Sequence, residues 1–242
     1  MRIHRGSMAI CTLLFVFSLR LSISALAQTG NQAPNGAGTG YGKSATAGDP
    51  RAKEILARNR YEKAAAAGDS EAMYNLGLSY KEGRMLGVDN ALARKWFTKA
   101  AEAGNTKAMV NLGSLYEEGQ GGARDYGQAR KWFEKAKAAG DAGGLLGLGH
   151  LYMLGRGVAR DYAQARSWFE QAAEAGNAEA MRNLGILYEN GEGVAKDSAQ
   201  AHNWYQKAAE AGDPYSRAKL ASDYALEQMR KQYPNGPGSA KR

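Results

Sequence analysis

The sequence predicts an all-α fold in which helix-turn-helix units stack into a solenoid. Four tryptophans follow one another at intervals of 36 residues, and the glycines of five Ala-Gly pairs keep the same interval. A fixed period of this length is the mark of a chain built from repeated supersecondary units. Because such arrays expose long surfaces, the period also favours a binding function over a catalytic one. The repeated positions are Trp96, Trp132, Trp168 and Trp204, and Gly68, Gly104, Gly140, Gly176 and Gly212.

The first 27 residues have the pattern of a secretory signal peptide. Basic residues at the start precede a mostly apolar stretch at 10–19, and Ala25-Leu26-Ala27 has the small-x-small form of a cleavage site. The apolar stretch is too short for a membrane-spanning helix, and Arg20 interrupts it early. We therefore expect cleavage near Ala27 and a mature protein that is periplasmic or secreted.

The segments on either side of the repeats lack the apolar side chains that a core needs. Residues 28–49 are rich in Gly, Ala, Asn and Thr, which predicts a flexible linker, and residues 234–242 are predicted to be a disordered tail. The repeat domain is accordingly predicted to span residues 50–233.

Composition excludes several classes of function. The net charge is +8, and removal of the signal peptide with its three arginines leaves +5, an excess too mild to indicate a nucleic-acid-binding protein. Cys11 is the only cysteine and lies in the signal peptide, so stability must come from packing. The two histidines of the mature chain, His150 and His202, fall in different repeats, and no metal site, cofactor site or catalytic constellation is predicted.

Each full repeat contains two helical patterns. In the second repeat the first helix is indicated by apolar residues at 108, 112, 115 and 116, and Gly119 is placed to end it. The second helix opens at Asp125, which can accept hydrogen bonds from the amides of the first turn, and Gln128 follows at the capping-box position. The full repeats are written as residues 72–107, 108–143, 144–179 and 180–215.

A glycine also recurs inside every first helix. An interior glycine costs a helix about 1 kcal/mol relative to alanine. Its retention in four repeats indicates that a Trp or Phe of the neighbouring second helix occupies the space. These glycines are Gly77, Gly113, Gly149 and Gly185.

This pattern resembles the Sel1-like repeat family, one of the tetratricopeptide-like helical repeats. The resemblance covers about three quarters of the chain and implies a right-handed α-solenoid whose first helices line a concave face. It also implies an adaptor or regulator, since exported bacterial members are linked to signalling, polysaccharide export and cell contacts. One bacterial subgroup has paired cysteines in each repeat, which this chain lacks. In the second repeat the resemblance is carried by Ala108, Leu112, Gly113, Tyr116, Gly119, Asp125, Ala129, Trp132, Phe133, Ala136, Ala139, Gly140 and Asp141.

The concave face implied by this resemblance supplies the candidate partner-binding residues. Asn75, Asn111 and Asn183 share one column, and an amide there can donate and accept hydrogen bonds along an extended peptide. The alternative is that these amides cap helices or bridge neighbouring repeats. The other candidates occupy the more variable positions of the same face: Tyr74, Leu78, Val110, Leu146, His150, Met153, Arg182 and Ile186.

The third repeat departs from the others. Its first helix contains Gly144, Gly147 and Gly149, which should weaken it by about 1–2 kcal/mol. Leu146, His150 and Met153 would then form an apolar hot spot on an adaptable helix. The alternative is neutral variation in a helix held on both sides.

The aromatic and basic columns of the second helices have two interpretations each. Trp at helical spacing beside Phe or Tyr indicates core, whereas a row of exposed rings would indicate carbohydrate stacking. Arg130 and Arg166 precede Glu134 and Glu170 by four residues, which favours pairing within the helix over a basic stripe, with Arg94 in the same column.

Taken together, these patterns predict an exported, non-catalytic scaffold or regulator for protein-protein interaction. The partner is expected to be a periplasmic or membrane protein of the envelope, one of whose segments binds in the concave groove. The alternative is a glycan-binding or cell-wall-binding module associated with polysaccharide assembly.

Overall fold

The computed structural model describes residues 50–84 and 87–232, and these residues form ten α-helices and no strand. The predicted signal peptide (1–27), linker (28–49) and tail (234–242) lie outside the described residues. The helices are α1 (Pro50–Ala66), α2 (Ser70–Glu82), α3 (Asn90–Glu102), α4 (Thr106–Glu118), α5 (Tyr126–Ala138), α6 (Ala142–Leu154), α7 (Tyr162–Glu174), α8 (Ala178–Asn190), α9 (Ser198–Glu210) and α10 (Pro214–Gln232).

Consecutive helices pack as hairpins, and each hairpin packs on the next. The pairs α2–α3, α4–α5, α6–α7 and α8–α9 form the hairpins, and each second helix also packs on the first helix of the following repeat. The predicted all-α solenoid with a 36-residue period is confirmed. The even-numbered helices are called first helices below, and the odd-numbered ones second helices.

The predicted helix ends are also confirmed. Asp89, Asp125, Asp161 and Asp197 cap the second helices, and each carboxylate accepts from an amide of the first turn. First helices end at a glycine with left-handed backbone, as at Gly119, where φ is 71°. Because these signals act within one turn of the chain, the sequence places the helix boundaries well.

The core repeats with the same period as the sequence. In each of the four hairpins from α2 to α9, a leucine of the first helix and an aromatic residue of the second helix are buried, together with at least two alanines of the second helix. The interior glycines face the aromatic rings: a methyl group added to Gly113 would lie 2.6 Å from a ring carbon of Phe133. The buried rings are Phe97, Phe133, Phe169 and Tyr205, and the buried leucines are Leu76, Leu112, Leu148 and Leu184.

The tryptophans lie less deeply than the sequence pattern suggests. Trp132 is buried, but Trp96, Trp168 and Trp204 are only partly so, and the residue that follows each Trp takes the innermost position. A Phe or Tyr fits against the helix-interior glycine, whereas the larger indole packs at the edge of the core. The tryptophans that mark the 36-residue period therefore lie beside the centre of the core.

The loops between first and second helices touch the preceding repeat. A side chain at Gly157 would lie 2.6 Å from Cβ of Tyr126, and the equivalent glycines, Gly121 and Gly193, approach the backbone at Asn90 and Tyr162. All three glycines have positive φ, so both the conformation and the close approach require glycine. Each loop thus sets the spacing of one repeat on the next.

Helix α6 forms despite its glycines. It has 13 residues, the same length as α4 and α8, and it packs against α4, α5 and α7. Tertiary packing offsets its low intrinsic helix propensity. What the glycines change is the surface of the helix, as described next.

Candidate functional site

The eleven candidate partner-binding residues all lie on first helices. They are partly buried except for Asn183, which is fully buried. Tyr74, Asn75 and Leu78 lie on α2, Val110 and Asn111 on α4, Leu146, His150 and Met153 on α6, and Arg182, Asn183 and Ile186 on α8.

A depression brings four of these residues together. It runs over α4 and α6 to the start of α8, encloses about 460 Å³, and is lined by Val110, Leu146, His150 and Met153. We call it the α6 cleft. Its other lining residues are Ser114, Glu117, Glu118, Phe133, Gly143, Gly147, Leu154, Arg156 and Glu179.

Two glycines open this cleft. The residues 36 and 72 positions before Gly143 are Lys107 and Glu71, and those before Gly147 are Asn111 and Asn75. At these two positions α2 and α4 therefore carry long or polar side chains, whereas α6 carries none. A methyl group added to Gly147 would lie 2.5 Å from a carbon of the Phe133 ring, so this buried ring packs directly beneath the cleft and leaves no room for a side chain at Gly147.

One wall of the cleft is held by an ion pair that the sequence analysis did not predict. Glu117, at the end of α4, is buried, and Nη1 of Arg156 donates to its Oε1 at 2.9 Å. Arg156 follows the last turn of α6, so the pair joins the second and third repeats across 39 positions of sequence. Only packing brings these two residues together, and no local pattern indicates it.

A second link joins α6 to α8. Nδ2 of Asn183 lies 2.9 Å from Nε2 of His150; with the amide donating, the ring nitrogen accepts and the imidazole is neutral. The His150 ring also packs edge-on against Phe169, with 5.5 Å between the ring centres. Burial lowers the pKa of His150, and the nearby Glu179 and Glu117 only partly oppose that effect.

The asparagine column is engaged within the protein at two positions. Oδ1 of Asn111 accepts from Nζ of Lys81 at 3.1 Å, and its Nδ2 donates to the carbonyl of Lys107. Asn183 donates to His150, as described above. These contacts correspond to the bridging alternative, and an extended peptide would have to exchange with them to use the amides.

Asn75 and Leu78 line a separate depression at the N-terminal end of the array. It lies between α1 and α2, encloses about 370 Å³ and includes Tyr61. Six of the eleven candidate residues thus line these two separate depressions.

Two further candidates are held by contacts within the array. Arg182 donates through Nη1 to Asp213 at 2.7 Å and through Nη2 to Glu179 at 2.8 Å. Tyr74 packs against Phe97 with ring centres 5.8 Å apart, and burial raises the pKa of its hydroxyl. Ile186 is partly buried on α8. These side chains shape the first-helix face, but they do not line the α6 cleft.

Lysines cover the tryptophans on the second helices. Lys135 places its ammonium 4.0 Å from the Trp132 ring centre, and Lys137 lies 4.8 Å from that of Trp168. This arrangement, repeated at Trp96 and Trp204, counts against a row of rings open to stack on sugars.

The arginine column is used in structural contacts. Arg130 and Arg166 pair with Glu134 and Glu170 within their helices, at 2.8 and 3.4 Å, as predicted. The guanidinium of Arg94 lies 3.6 Å above the ring of Tyr116 in the next repeat. These pairs favour the structural interpretation of the column over a basic stripe.

The described residues contain neither a metal-binding cluster nor a helix that could span a membrane. Across residues 50–84 and 87–232, no group of three or more His, Cys, Asp or Glu side chains is arranged to hold a metal ion. Within the same ranges no helix has the length and apolar character needed to cross a bilayer.

Comparison with known families agrees with the repeat pattern. A model of the Sel1 repeat matches residues 54–69, 70–105, 106–141, 142–177 and 178–213. The last four matches begin two residues before the predicted full repeats and coincide with the starts of α2, α4, α6 and α8. No curated protein matches the chain.

Solved structures show the same architecture. A Sel1 repeat protein from Oxalobacter formigenes is 33% identical over 73% of this chain and 76% of its own, with a TM-score of 0.61. A protective antigen of uropathogenic Escherichia coli, described as having an SLR fold, is 36% identical over 70% of this chain, with a TM-score of 0.60. The match spans only 36% of the antigen's length. An immunity protein from Pseudomonas aeruginosa shares the fold at 23% identity, with 66% and 59% of the two chains covered and a TM-score of 0.50.

Proposed function

Because the chain belongs to the Sel1 repeat family, whose members are generally non-catalytic protein-interaction scaffolds, we propose that it is an exported scaffold or regulator. In this proposal the first-helix face binds a segment of another envelope protein, either periplasmic or in the membrane. Binding there would regulate the partner or support its assembly into a larger complex.

The observation that carries this proposal is the α6 cleft. Four candidate residues from two repeats line it, and its volume falls within the range of about 300–1,000 Å³ typical of ligand sites. A cleft lined mainly by first helices can receive a side chain from a segment lying along several repeats.

Export is supported by the sequence of the first 27 residues. The proposal requires that the chain be cleaved near Ala27, so that the mature protein begins close to Gln28. N-terminal sequencing of the protein recovered from an envelope fraction checks this requirement. Recovery of the intact N-terminus from the cytoplasm alone would rule out the exported form.

A site-specific crosslinking experiment tests the binding face. A photoreactive amino acid is placed at Met153 in the cleft or at Lys131, which is exposed on α5. We expect one defined partner to crosslink from Met153 and not from Lys131, with its identity established by mass spectrometry and binding confirmed with the purified protein. Equal crosslinking from both positions, or crosslinking from Lys131 alone, would contradict the proposed face.

A further inference from the structure

The α6 cleft has a specific combination of an apolar floor and acidic walls. We propose that it binds a basic segment of a partner protein and that one bulky apolar side chain of this segment inserts against Val110, Leu146 and Met153. This inference rests on the proposed function, because it names the chemistry of the partner at the same face.

The apolar part of the cleft is formed by missing side chains. Gly143 and Gly147 place no side chain of their own between the cleft and their neighbours: Val110 packs against Gly143, and the Phe133 ring, only 1% exposed, lies directly beneath Gly147. Leu146 and Met153 stand on the same helix, and Leu154 at the rim is 47% exposed. A leucine or aromatic side chain of a partner can therefore contact Val110, Leu146 and Met153, in the manner of a hot-spot anchor.

The charged part of the cleft is acidic. Glu117, Glu118 and Glu179 line it against a single cation, Arg156, and α6 itself carries no Asp, Glu, Lys or Arg. His150 adds no positive charge near neutral pH, because burial lowers its pKa. Arg156 pairs with Glu117, and Arg182 is shared between Glu179 and Asp213. Because the carboxylates of Glu117, Glu118, Glu179 and Asp213 face only these two guanidinium groups, an acidic excess remains at the exposed Glu118 and Glu179 to attract lysine or arginine side chains.

Only α6 is proposed to bind in this way, because α4 carries side chains at the two positions where α6 has glycine. On α4, Lys107 takes the place of Gly143 and Asn111 that of Gly147, so both positions carry a polar side chain there. The third repeat combines both glycines with carboxylates on the flanking helices. An acidic or purely polar segment would leave the apolar floor unfilled or meet like charge.

Selection from a random library of short displayed peptides tests the inference. The bait is the mature chain, residues 28–242, and the Gly143→Lys variant is used in parallel. That variant introduces the residue of the second repeat, fills the cleft and places a cation in it. Because lysine is a better helix former than glycine, the variant should remain folded, which circular dichroism and thermal unfolding will check.

The expected result is enrichment of peptides that combine a Leu, Phe or Trp with Lys or Arg. Synthetic versions, labelled with fluorescein, should bind the mature chain at least about tenfold more tightly than Gly143→Lys, the scale set by loss of an anchor side chain. Leu154→Ser should also weaken binding, and Glu118→Gln should reduce its salt dependence. Lys131→Gln, on the outer face, serves as the matched control and should bind like the unmodified chain.

Three outcomes would overturn the inference: no enriched peptide, enrichment of acidic or purely polar peptides, or equal binding to Gly143→Lys. The crosslinking from Met153 separates this failure from that of the proposed function. If Met153 still crosslinks a partner while the peptides lack basic or apolar character, only the chemistry assigned to the partner is wrong. Sedimentation of the mature chain alone tests whether a second copy of the chain occupies the cleft. Concentration-dependent dimers that Gly143→Lys abolishes would show that it does and would count against a separate partner.

Discussion

At the scale of single residues, His150 makes the stability of the fold depend on pH. Its imidazole accepts from Asn183 and packs against Phe169, an arrangement that suits the neutral ring. The charged groups around it are Glu179, Glu117, Arg182 and Arg156, and burial outweighs their combined effect and lowers its pKa. The unfolded chain, with a histidine pKa near 6.5, therefore binds a proton more readily than the folded chain.

The sign of the resulting pH dependence follows from this difference. Where the unfolded state binds more protons, stability rises with pH. Below pH 6.5 the folded protein should lose stability progressively as the pH falls towards the lowered pKa of His150. We expect the free energy of unfolding in urea to fall over this window in the unmodified chain and to fall less in His150→Gln. Parallel profiles for the two proteins would show that His150 does not carry the effect.

A second residue-scale prediction concerns the helix-interior glycines. Gly113→Ala places a methyl group against Phe133, so we expect it to lower the free energy of unfolding by about 1–3 kcal/mol, the usual cost of overpacking. Gly127→Ala, on the exposed first turn of α5, is the control and should be neutral or stabilising by up to about 1 kcal/mol. Urea titrations of both variants make the comparison, and a neutral Gly113→Ala would mean that the ring moves at little cost.

Residue-scale features differ in how far the sequence predicts them. The asparagine and glycine columns are visible from spacing alone, and the need of Gly113 for space follows from its cost in a helix. The engagement of Asn183 by His150 and of Glu117 by Arg156 is not visible, because each pair is more than 30 residues apart. The acidic wall of the cleft was missed for that reason.

At the scale of helices, the caps are the most local and best predicted features. Oδ1 of Asp125 accepts from the amide of Gln128 at 2.9 Å. Asp125→Ala should cost about 1 kcal/mol of stability, as loss of an N-cap usually does, whereas Asp125→Asn should cost much less. The midpoints of urea unfolding measure both, and equal losses in the two variants would show that the carboxylate charge, rather than the hydrogen bond, matters.

Helix α6 shows where local prediction stops. Its glycines indicate a weak helix, and the structure contains a regular helix of normal length because its neighbours hold it. The glycines are visible in the sequence as a break in the repeat pattern. The cleft is not visible there, because it also depends on Phe133 of the adjacent second helix, α5. The sequence shows that α6 lacks side chains at its glycines, whereas only the packed structure shows which residues lie next to them.

At the scale of the whole array, the ends differ from the middle. Each inner repeat packs on two neighbours, whereas α1 and α10 each pack on one. In α10 only Ser216 is buried, and Tyr224 is 66% exposed. We expect amide hydrogen exchange to be slowest in α4–α7 and much faster in α1 and the second half of α10. Uniform protection along all ten described helices would indicate a single cooperative unit instead.

The loop glycines bear on how such a chain can change over generations. Because Gly121, Gly157 and Gly193 each approach the start of the second helix of the preceding repeat, the three junctions that they form are alike. Recombination between two repeats of the gene would then add or delete a complete repeat without creating a new kind of contact between neighbouring repeats. The α6 cleft would be duplicated or transferred only together with the preceding repeat, because Val110, Glu117 and Glu118 of α4 also line it.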